Sequence, residues 1–206
     1  MAIIQSVLDT DLYKFTTSYA YSKLYPRAYG QFRFIDRGKT TYPQGFAEEL
    51  KKELQEMSKL ALTKDEASFL SRELPYLPPT YIDFVRGFRF DPEEVKVEQD
   101  AEGHLSIIAE GLLYRVTLWE TPILALVSEL YYKMLGAQPD MEYTERTIIS
   151  KARKLAEHGI TFSMFGMRRR FSAAIEDRVT ELLKEHAAGY LFGTSNVYYA
   201  YKHGLR

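Results

Sequence analysis

Residues 160–196 read ITFSMFGMRRRFSAAIEDRVTELLKEHAAGYLFGTSN, two short apolar runs on either side of one amphipathic stretch. Ile160 to Phe162 suits a short strand, and so does Tyr190 to Phe192. Between them, Arg170 to Ala187 carries Phe171, Ile175, Val179, Leu182 and Leu183 at helical spacing. Short strands separated by a helix of this length predict parallel pairing through a right-handed crossover, as at the beginning of an α/β barrel or a doubly wound sheet. A barrel of eight such units takes about 250 residues, and only about two units fit after residue 159. An open parallel sheet would leave unpaired edges and an uncovered apolar face. The expectation is therefore the front part of a longer polypeptide, or a chain completed by a second one.

The preceding sequence has a different grain. Residues 9–25 read as a helix that Asp9 or Thr10 can cap, with Leu12, Phe15, Tyr19 and Leu24 as its apolar stripe and Pro26 as its end. Ala28 to Ile35 suits a half-buried strand, followed by a turn at Asp36, Arg37 and Gly38. Helices are predicted over about residues 43–62 and 63–73, the second opening with Thr63 and, three residues on, Glu66, a capping-box pattern. Residues 75–79 break it. Val95 to Gln99 and His104 to Glu110 form a hairpin around the turn 100–103, with Leu112 to Thr117 as a third strand. Long helices follow over 122–135 and 141–158. The organisation is thus α/β with α+β: an N-terminal α+β domain over residues 1–120, then a helical connection and the first βα units over 121–206.

The 206 residues carry a formal net charge of -1, so no overall field draws the chain to nucleic acid or an anionic membrane. The absence of cysteine removes disulfides, thiolate nucleophiles and cysteine-bound zinc. Nothing approaches the roughly 18 apolar residues of a membrane span, and the N-terminus lacks the pattern of a secretory signal, so a cytoplasmic location is expected. No paired-histidine spacing for a metal, Gly-x-Gly-x-x-Gly or phosphate-binding P-loop is present.

In parallel α/β architectures ligands bind at the carboxyl ends of the strands, where both Phe165 to Arg170 and Gly193 to Asn196 fall. Arginine offers a planar fork to carboxylate or phosphate. Three in a row cannot face one way: Arg168 can point into a site while Arg169 and Arg170 diverge, or the triplet is a solvated basic turn. The amides and hydroxyls of Gly193-Thr194-Ser195-Asn196 suit an anion or ribose, unless Ser195 or Asn196 is simply a helix cap. Tyr13 is either a packing residue or a stacking face for an aromatic ring. His158, His186 and His203 sit at helix ends and His104 beside a hairpin turn, positions that suit structural roles.

Five ordered segments, LDTDLYKFT at 8–16, FRFIDRG at 32–38, LWETPILALVSELYY at 118–132, FSMFGMRRRFS at 162–172 and GTSN at 193–196, resemble the nicotinate phosphoribosyltransferase family. The resemblance implies an N-terminal α+β domain joined to an irregular, type II phosphoribosyltransferase-like α/β barrel, incomplete in this chain, and a homodimer with shared sites. It implies formation of nicotinate mononucleotide and pyrophosphate from nicotinate and phosphoribosyl pyrophosphate, with Mg2+ and coupled ATP hydrolysis, in NAD biosynthesis. By resemblance Tyr13 lies over the nicotinate ring from the neighbouring subunit, Phe165 covers its other face, and Arg168 lies near the ring substituent and pyrophosphate. Arg37 reaches phosphoribosyl pyrophosphate across the dimer, and Thr194 and Ser195 belong to the substrate-binding turn. The family's phosphorylated histidine follows that turn, but His203, between Lys202 and Gly204, does not match its motif, so no residue is assigned that role. A nicotinamide or quinolinate phosphoribosyltransferase, or an inactive nicotinate-binding or dimerisation module, are the alternatives.

Overall fold

The computed structural model describes residues 2–38 and 40–205. Met1 and Arg206, the outer ends of the two expected domains, lie outside them.

Helix α1 (Leu12–Leu24) starts later than the sequence predicts, with Asp11 as its N-cap and no side-chain cap bond. The expected caps, Asp9 and Thr10, are drawn into tertiary contacts instead, Asp9 with Arg170 and Thr10 with Thr121. Phe15 and Ser18 face the core, whereas Leu24, placed in the expected stripe, is 63% exposed. Strand β1 (Tyr29–Arg33) follows, then α2 (Phe46–Met57), which buries Phe46, Leu50, Leu54 and Met57 along one face. Helix α3 (Lys64–Glu73) has the predicted capping box: the Thr63 hydroxyl accepts from the Glu66 amide and the Glu66 carboxylate accepts from the Thr63 amide. The break at 75–79 leads directly into a further helix, α4 (Pro79–Gly87), with proline in the first turn, where no hydrogen bond is lost. Its short span and flanking prolines hid it in the sequence.

Strands β2 (Val95–Gln99) and β3 (Leu105–Leu112) form the expected hairpin, pairing from Val95 with Ala109 to Gln99 with Leu105. The third strand of the sheet is β1, which pairs antiparallel with β3 from Tyr29 with Leu112 to Arg33 with Ile108, giving the order β1-β3-β2. Residues 112–117, expected as that third strand, instead include the short helix α5 (Leu113–Val116). Pairing stops where the Leu113 amide reaches Ala28, and Val116 through Trp119 are all buried, which an alternating strand with one wet face cannot do.

Two longer helices follow, α6 (Glu120–Met134) and α7 (Met141–Glu157). Helix α7 ends in a Schellman motif: Gly159, at φ 65°, donates to Ala156, and Ile160 donates to Leu155. Because that cap consumes Ile160, strand β4 begins only at Phe162 and runs to Met164, later than predicted. Helix α8 (Ala173–His186) leads to β5 (Leu191–Thr194), and β4 and β5 pair in parallel as expected. Helix α9 (Val197–His203) ends the described fold. No described helix is long and apolar enough to cross a membrane.

A large core cluster joins α2 to α6, with Trp119, Phe15 and Phe46 fully buried, and takes in Met167, Val197 and Ala200 from the βα units. A smaller cluster of Ala152, Met164, Leu183 and Ala187 lies among α7, α8 and the parallel strands. The main polar tie is Arg170, whose side chain is fully buried. Its Nη1 donates to both oxygens of Asp9 at 3.0 and 3.1 Å, its Nη2 to the Ile3 carbonyl at 3.0 Å and its Nε to Glu129 at 3.1 Å. Asn196 also donates to Asp9, at 2.8 Å. The N-terminal segment is thereby held to α6 and to the turn after β5.

Arg170→Ala leaves two carboxylates facing a void, and we expect a loss of about 3–5 kcal/mol in urea unfolding. Lys59→Ala, which removes only an exposed pair with Glu56, should leave the midpoint unmoved. Equal effects of the two substitutions would contradict this reading of Arg170.

Candidate functional site

The chain leaves β4 through Phe165 and Gly166 into a single 3-10 turn over Met167–Arg169. Successive side chains in such a turn diverge by about 120°, and positions three apart eclipse. Met167 and Arg170 therefore share a direction, and both are buried. Arg168 and Arg169 point elsewhere: Arg168 is half-buried against the N-terminal segment and Arg169 is exposed. The solvated basic turn thus describes Arg169 alone.

Arg168 is gripped on one side. Its Nε donates to Asp11 at 3.0 Å and its Nη2 to the Tyr13 hydroxyl at 2.7 Å, leaving Nη1 without a partner among the described residues. Its guanidinium also lies over the Tyr13 ring, 5.6 Å from the centroid. Tyr13 is 38% exposed, and its hydroxyl donates a long hydrogen bond of 3.4 Å to Glu120. Glu120 is ion-paired to Lys14, which is buried between the Tyr13 and Phe32 rings. Burial pushes the Tyr13 phenol up and the Lys14 ammonium down from their ordinary values, with Glu120 restraining the shift of Lys14. Phe165, in the loop just after β4, is 71% exposed, and Tyr13 and Phe165 make no ring contact among the described residues.

At the end of β5, the Thr194 hydroxyl accepts from the Asn196 amide at 3.2 Å, and the Ser195 hydroxyl donates to Asp11 at 2.7 Å. Asn196 caps α9 by accepting from the Tyr198 and Tyr199 amides. The cap reading holds for Asn196, while Ser195 joins Arg168 through the shared Asp11 carboxylate. Asp11 also bridges to Asn196 as an isolated β-pair, with the Leu12 amide on the Ser195 carbonyl at 2.8 Å.

Arg37 sits in the turn after β1, exposed, beside an Asp36 whose carboxylate accepts from the Gly38 and Thr40 amides and the Tyr42 hydroxyl. A groove of about 580 Å3 runs from this turn along α6 to Arg168 and Arg169. One chain thus brings Arg37, Arg168 and Tyr13 to one side of the molecule, with Ser195 behind them on Asp11, so Tyr13, expected to reach the ring from a neighbouring subunit, lies against Arg168 of its own chain.

The sequence reading missed the acids. Asp9 and Asp11 are two apart, as are Arg168 and Arg170, and the pairs meet crosswise: Asp9 with Arg170, Asp11 with Arg168. That matched spacing was the available signal. Glu176 was also overlooked. Its carboxyl is buried beneath the loop, so close that a Cβ at Gly166 would lie 2.8 Å from it. Burial pushes it up to about 7, Arg170 pulling it down and Asp9 adding to the rise.

The histidines lie where the sequence places them. His203 Nε2 is 2.7 Å from Asp177, His158 Nδ1 is 2.8 Å from the Lys154 carbonyl, and His104 pairs with Asp100. Among the described residues no three histidine, aspartate or glutamate side chains converge to hold a metal ion. These residues form no cage for the Mg2+ that the resemblance implies.

The family model described as the nicotinate phosphoribosyltransferase (NAPRTase) N-terminal domain matches residues 8–128, and the one described as the nicotinate phosphoribosyltransferase (NAPRTase) family matches residues 160–206. A nicotinate phosphoribosyltransferase of Chromohalobacter salexigens is 40% identical over 208 residues, covering 99% of this chain and 52% of the relative. One from Methanococcoides burtonii is 36% identical over 219 residues, covering 99% and 54%. The crystal structure of nicotinate phosphoribosyltransferase from Porphyromonas gingivalis superposes with a TM-score of 0.96 at 64% identity, covering 99% of this chain and 52% of that one. The corresponding structure from Vibrio cholerae gives 0.86 at 25% identity, covering 98% and 50%. The mixed α/β fold is common to them, and the chain spans about half the length of the curated relatives it matches.

Glu176 yields a pH signature. The folded chain keeps its proton up to about pH 7, whereas the unfolded chain releases it near the ordinary value of 4.5, so this group's contribution is full below 4.5 and lost as pH rises through 7. Glu176→Gln should match the parent near pH 4 and exceed it by roughly 1–3 kcal/mol at pH 8 in thermal or urea unfolding. Parallel pH profiles would contradict this assignment.

Proposed function

The chain belongs to the nicotinate phosphoribosyltransferase family, and we propose that it carries the ring-binding and part of the diphosphate-binding surface of an enzyme forming nicotinate mononucleotide. The observation behind this reading is the grip on Arg168. Asp11 and Tyr13 occupy Nε and Nη2, so Nη1 is presented beside a half-exposed aromatic ring. A planar base bearing a carboxylate fits both features: the ring lies against an aromatic face and the carboxylate meets the guanidinium edge. That edge favours nicotinate over the neutral nicotinamide.

In the proposed reaction the pyridine nitrogen attacks the anomeric carbon of phosphoribosyl pyrophosphate. The new C–N bond forms as the C–O bond to pyrophosphate breaks, and pyrophosphate leaves with the electron pair. Nothing in this step requires a proton from the chain. The residues contribute alignment of the ring by Tyr13 and Phe165, and positive charge for the carboxylate and the leaving diphosphate by Arg168 and Arg37. Ser195 and Thr194 act through backbone and carboxylate contacts that fix Asp11 and the turn. Mg2+ and ATP complete the proposal as co-reactants of the whole enzyme, which we place in the cytoplasm.

We read the architecture as an N-terminal α+β part over 1–120, then over 121–206 a helical connection and the first βα units of an irregular, type II phosphoribosyltransferase-like barrel. A homodimer is part of the same reading. Exposed Phe165, Tyr29 and Ile35 are among the apolar groups that a second copy would cover, bringing a further aromatic face to the ring.

Tyr13→Ala should raise KM for nicotinate roughly tenfold through loss of one stacking face, with thermal stability near that of the parent. Tyr13→Phe should keep the stacking. The assay follows nicotinate mononucleotide formation from nicotinate, phosphoribosyl pyrophosphate, ATP and Mg2+, with nicotinamide and quinolinate as competing bases. Unchanged nicotinate kinetics in Tyr13→Ala would remove Tyr13 from the site, and preference for another base would overturn the substrate assignment.

A further inference from the structure

Gly166 is the thinnest point of the loop that carries Phe165 and Arg168. Its dihedrals, φ -106° and ψ -20°, are open to any residue, so conformation does not call for glycine there. Space does. A Cβ would lie 2.8 Å from one carboxyl oxygen of Glu176, 3.2 Å from the other and 3.4 Å from the carboxyl carbon. The loop backbone therefore rests against that carboxyl group.

Glu176 is 8% exposed and belongs to the first turn of α8, yet its carboxyl accepts no hydrogen bond from any described residue. The ionisable groups facing it are Arg170 of the loop, Asp9 of the N-terminal segment and Tyr199 of α9. None donates to it. Arg170 directs its donors to Asp9, Ile3 and Glu129, and the Tyr199 hydroxyl donates to the Ala173 carbonyl at 2.9 Å. Asp177, next in sequence, pairs instead with Lys202 and His203. A carboxyl group so placed is tolerated as the neutral acid, whereas its anion needs water or a donor. Water reaches it most directly through its thinnest cover, the exposed pair Phe165 and Gly166. That pair is fastened at either end, by the Ser195 amide on the Met164 carbonyl at 3.1 Å and the Arg169 amide on the Gly166 carbonyl at 3.2 Å.

We propose that Glu176 is a positioning residue for the ring-binding loop: its uncharged carboxyl is the floor on which Gly166 lies, and ionisation lifts Phe165 away from the bound base. This deepens the function proposed above and rests on it only for the identity of the base. Burial pushes Glu176 up to about 7. The acid holds the loop down below that pH and the anion releases it above, so nicotinate binding weakens as pH rises.

Two readouts test the proposal. In NMR spectra of the parent, the Phe165, Gly166 and Met167 amide signals should shift together with a midpoint near pH 7. In Glu176→Gln, which keeps the shape without the charge, they should stay at their low-pH positions. In steady-state assays the parent KM for nicotinate should be level at low pH and rise roughly tenfold by one pH unit above the midpoint, while that of Glu176→Gln stays level and kcat runs parallel in the two proteins. Gly166→Ala should raise KM roughly tenfold at every pH by overpacking. Adding Glu176→Ala should restore most of the loss by making room, and adding Glu176→Gln, of unchanged size, should not. Amide signals that do not titrate, or that titrate equally in Glu176→Gln, overturn the proposal whatever the kinetics. So does a parent KM that stays level while the amides titrate, or a Gly166→Ala defect that Glu176→Ala fails to relieve. Signals that titrate through Glu176 in a protein that never turns over nicotinate would uphold the loop floor and sink the function.

Discussion

A guanidinium with no access to water has to be neutralised and hydrogen-bonded where it lies, and Arg170 imposes that requirement on three groups from two separate parts of the chain, the N-terminal segment and α6. The Asp9 carboxylate, the Ile3 carbonyl and the Glu129 carboxylate all converge on it. Glu129 also accepts from the Ala173 amide at the start of α8, and Asn196 shares Asp9 while capping α9. Burying such charges costs desolvation that their mutual attraction only partly offsets, and a single missing partner is severe. What the network confers is one arrangement: the N-terminal segment passes along the ends of β4 and β5, and the loop after β4 lies against it.

The placement of Arg170 settles its neighbours. With Met167 and Arg170 turned inward by the 3-10 geometry, Arg168 meets Asp11 and Tyr13, and Arg169 faces the groove. A structural arginine, a ring-side arginine and an uncommitted one therefore come from a single turn. The acids that hold the first two lie 161 and 157 positions away in sequence. Contacts of such separation cost more loop-closure entropy than local ones. The site edge is thus completed only when both ends of the described chain have come together.

Local signals in the sequence were reliable where the structure is local. The hairpin at 95–110, the capping box at Thr63 and the parallel strand pair were legible because turn chemistry, hydrogen-bond reciprocity and period each act over a few residues. Residues 112–117 mislead because apolar content suggests a strand, whereas residues 113–116 make a short helix and the run from Val116 through the following turn to Trp119 is buried without alternation. Asp9 looked like a cap because aspartate before an apolar stripe usually is one. Its partner Arg170 could be found only by pairing distant charges. Family resemblance picked out Tyr13, Arg37, Phe165 and Arg168, but the acidic frame of Asp9, Asp11, Glu120, Glu129 and Glu176 carried no local pattern beyond the two-residue spacing.

The central claim is that the N-terminal segment belongs structurally to the βα units. Amide hydrogen exchange tests it at three bonds: Leu12 to the Ser195 carbonyl at 2.8 Å, Val197 to Thr10 at 3.0 Å and Tyr198 to Leu8 at 2.9 Å. These three amides are predicted to exchange together and as slowly as those in the middle of α6, opening only with the fold as a whole. Rapid exchange at Leu12, Val197 and Tyr198 while α6 stays protected would show a frayed terminus and contradict the account.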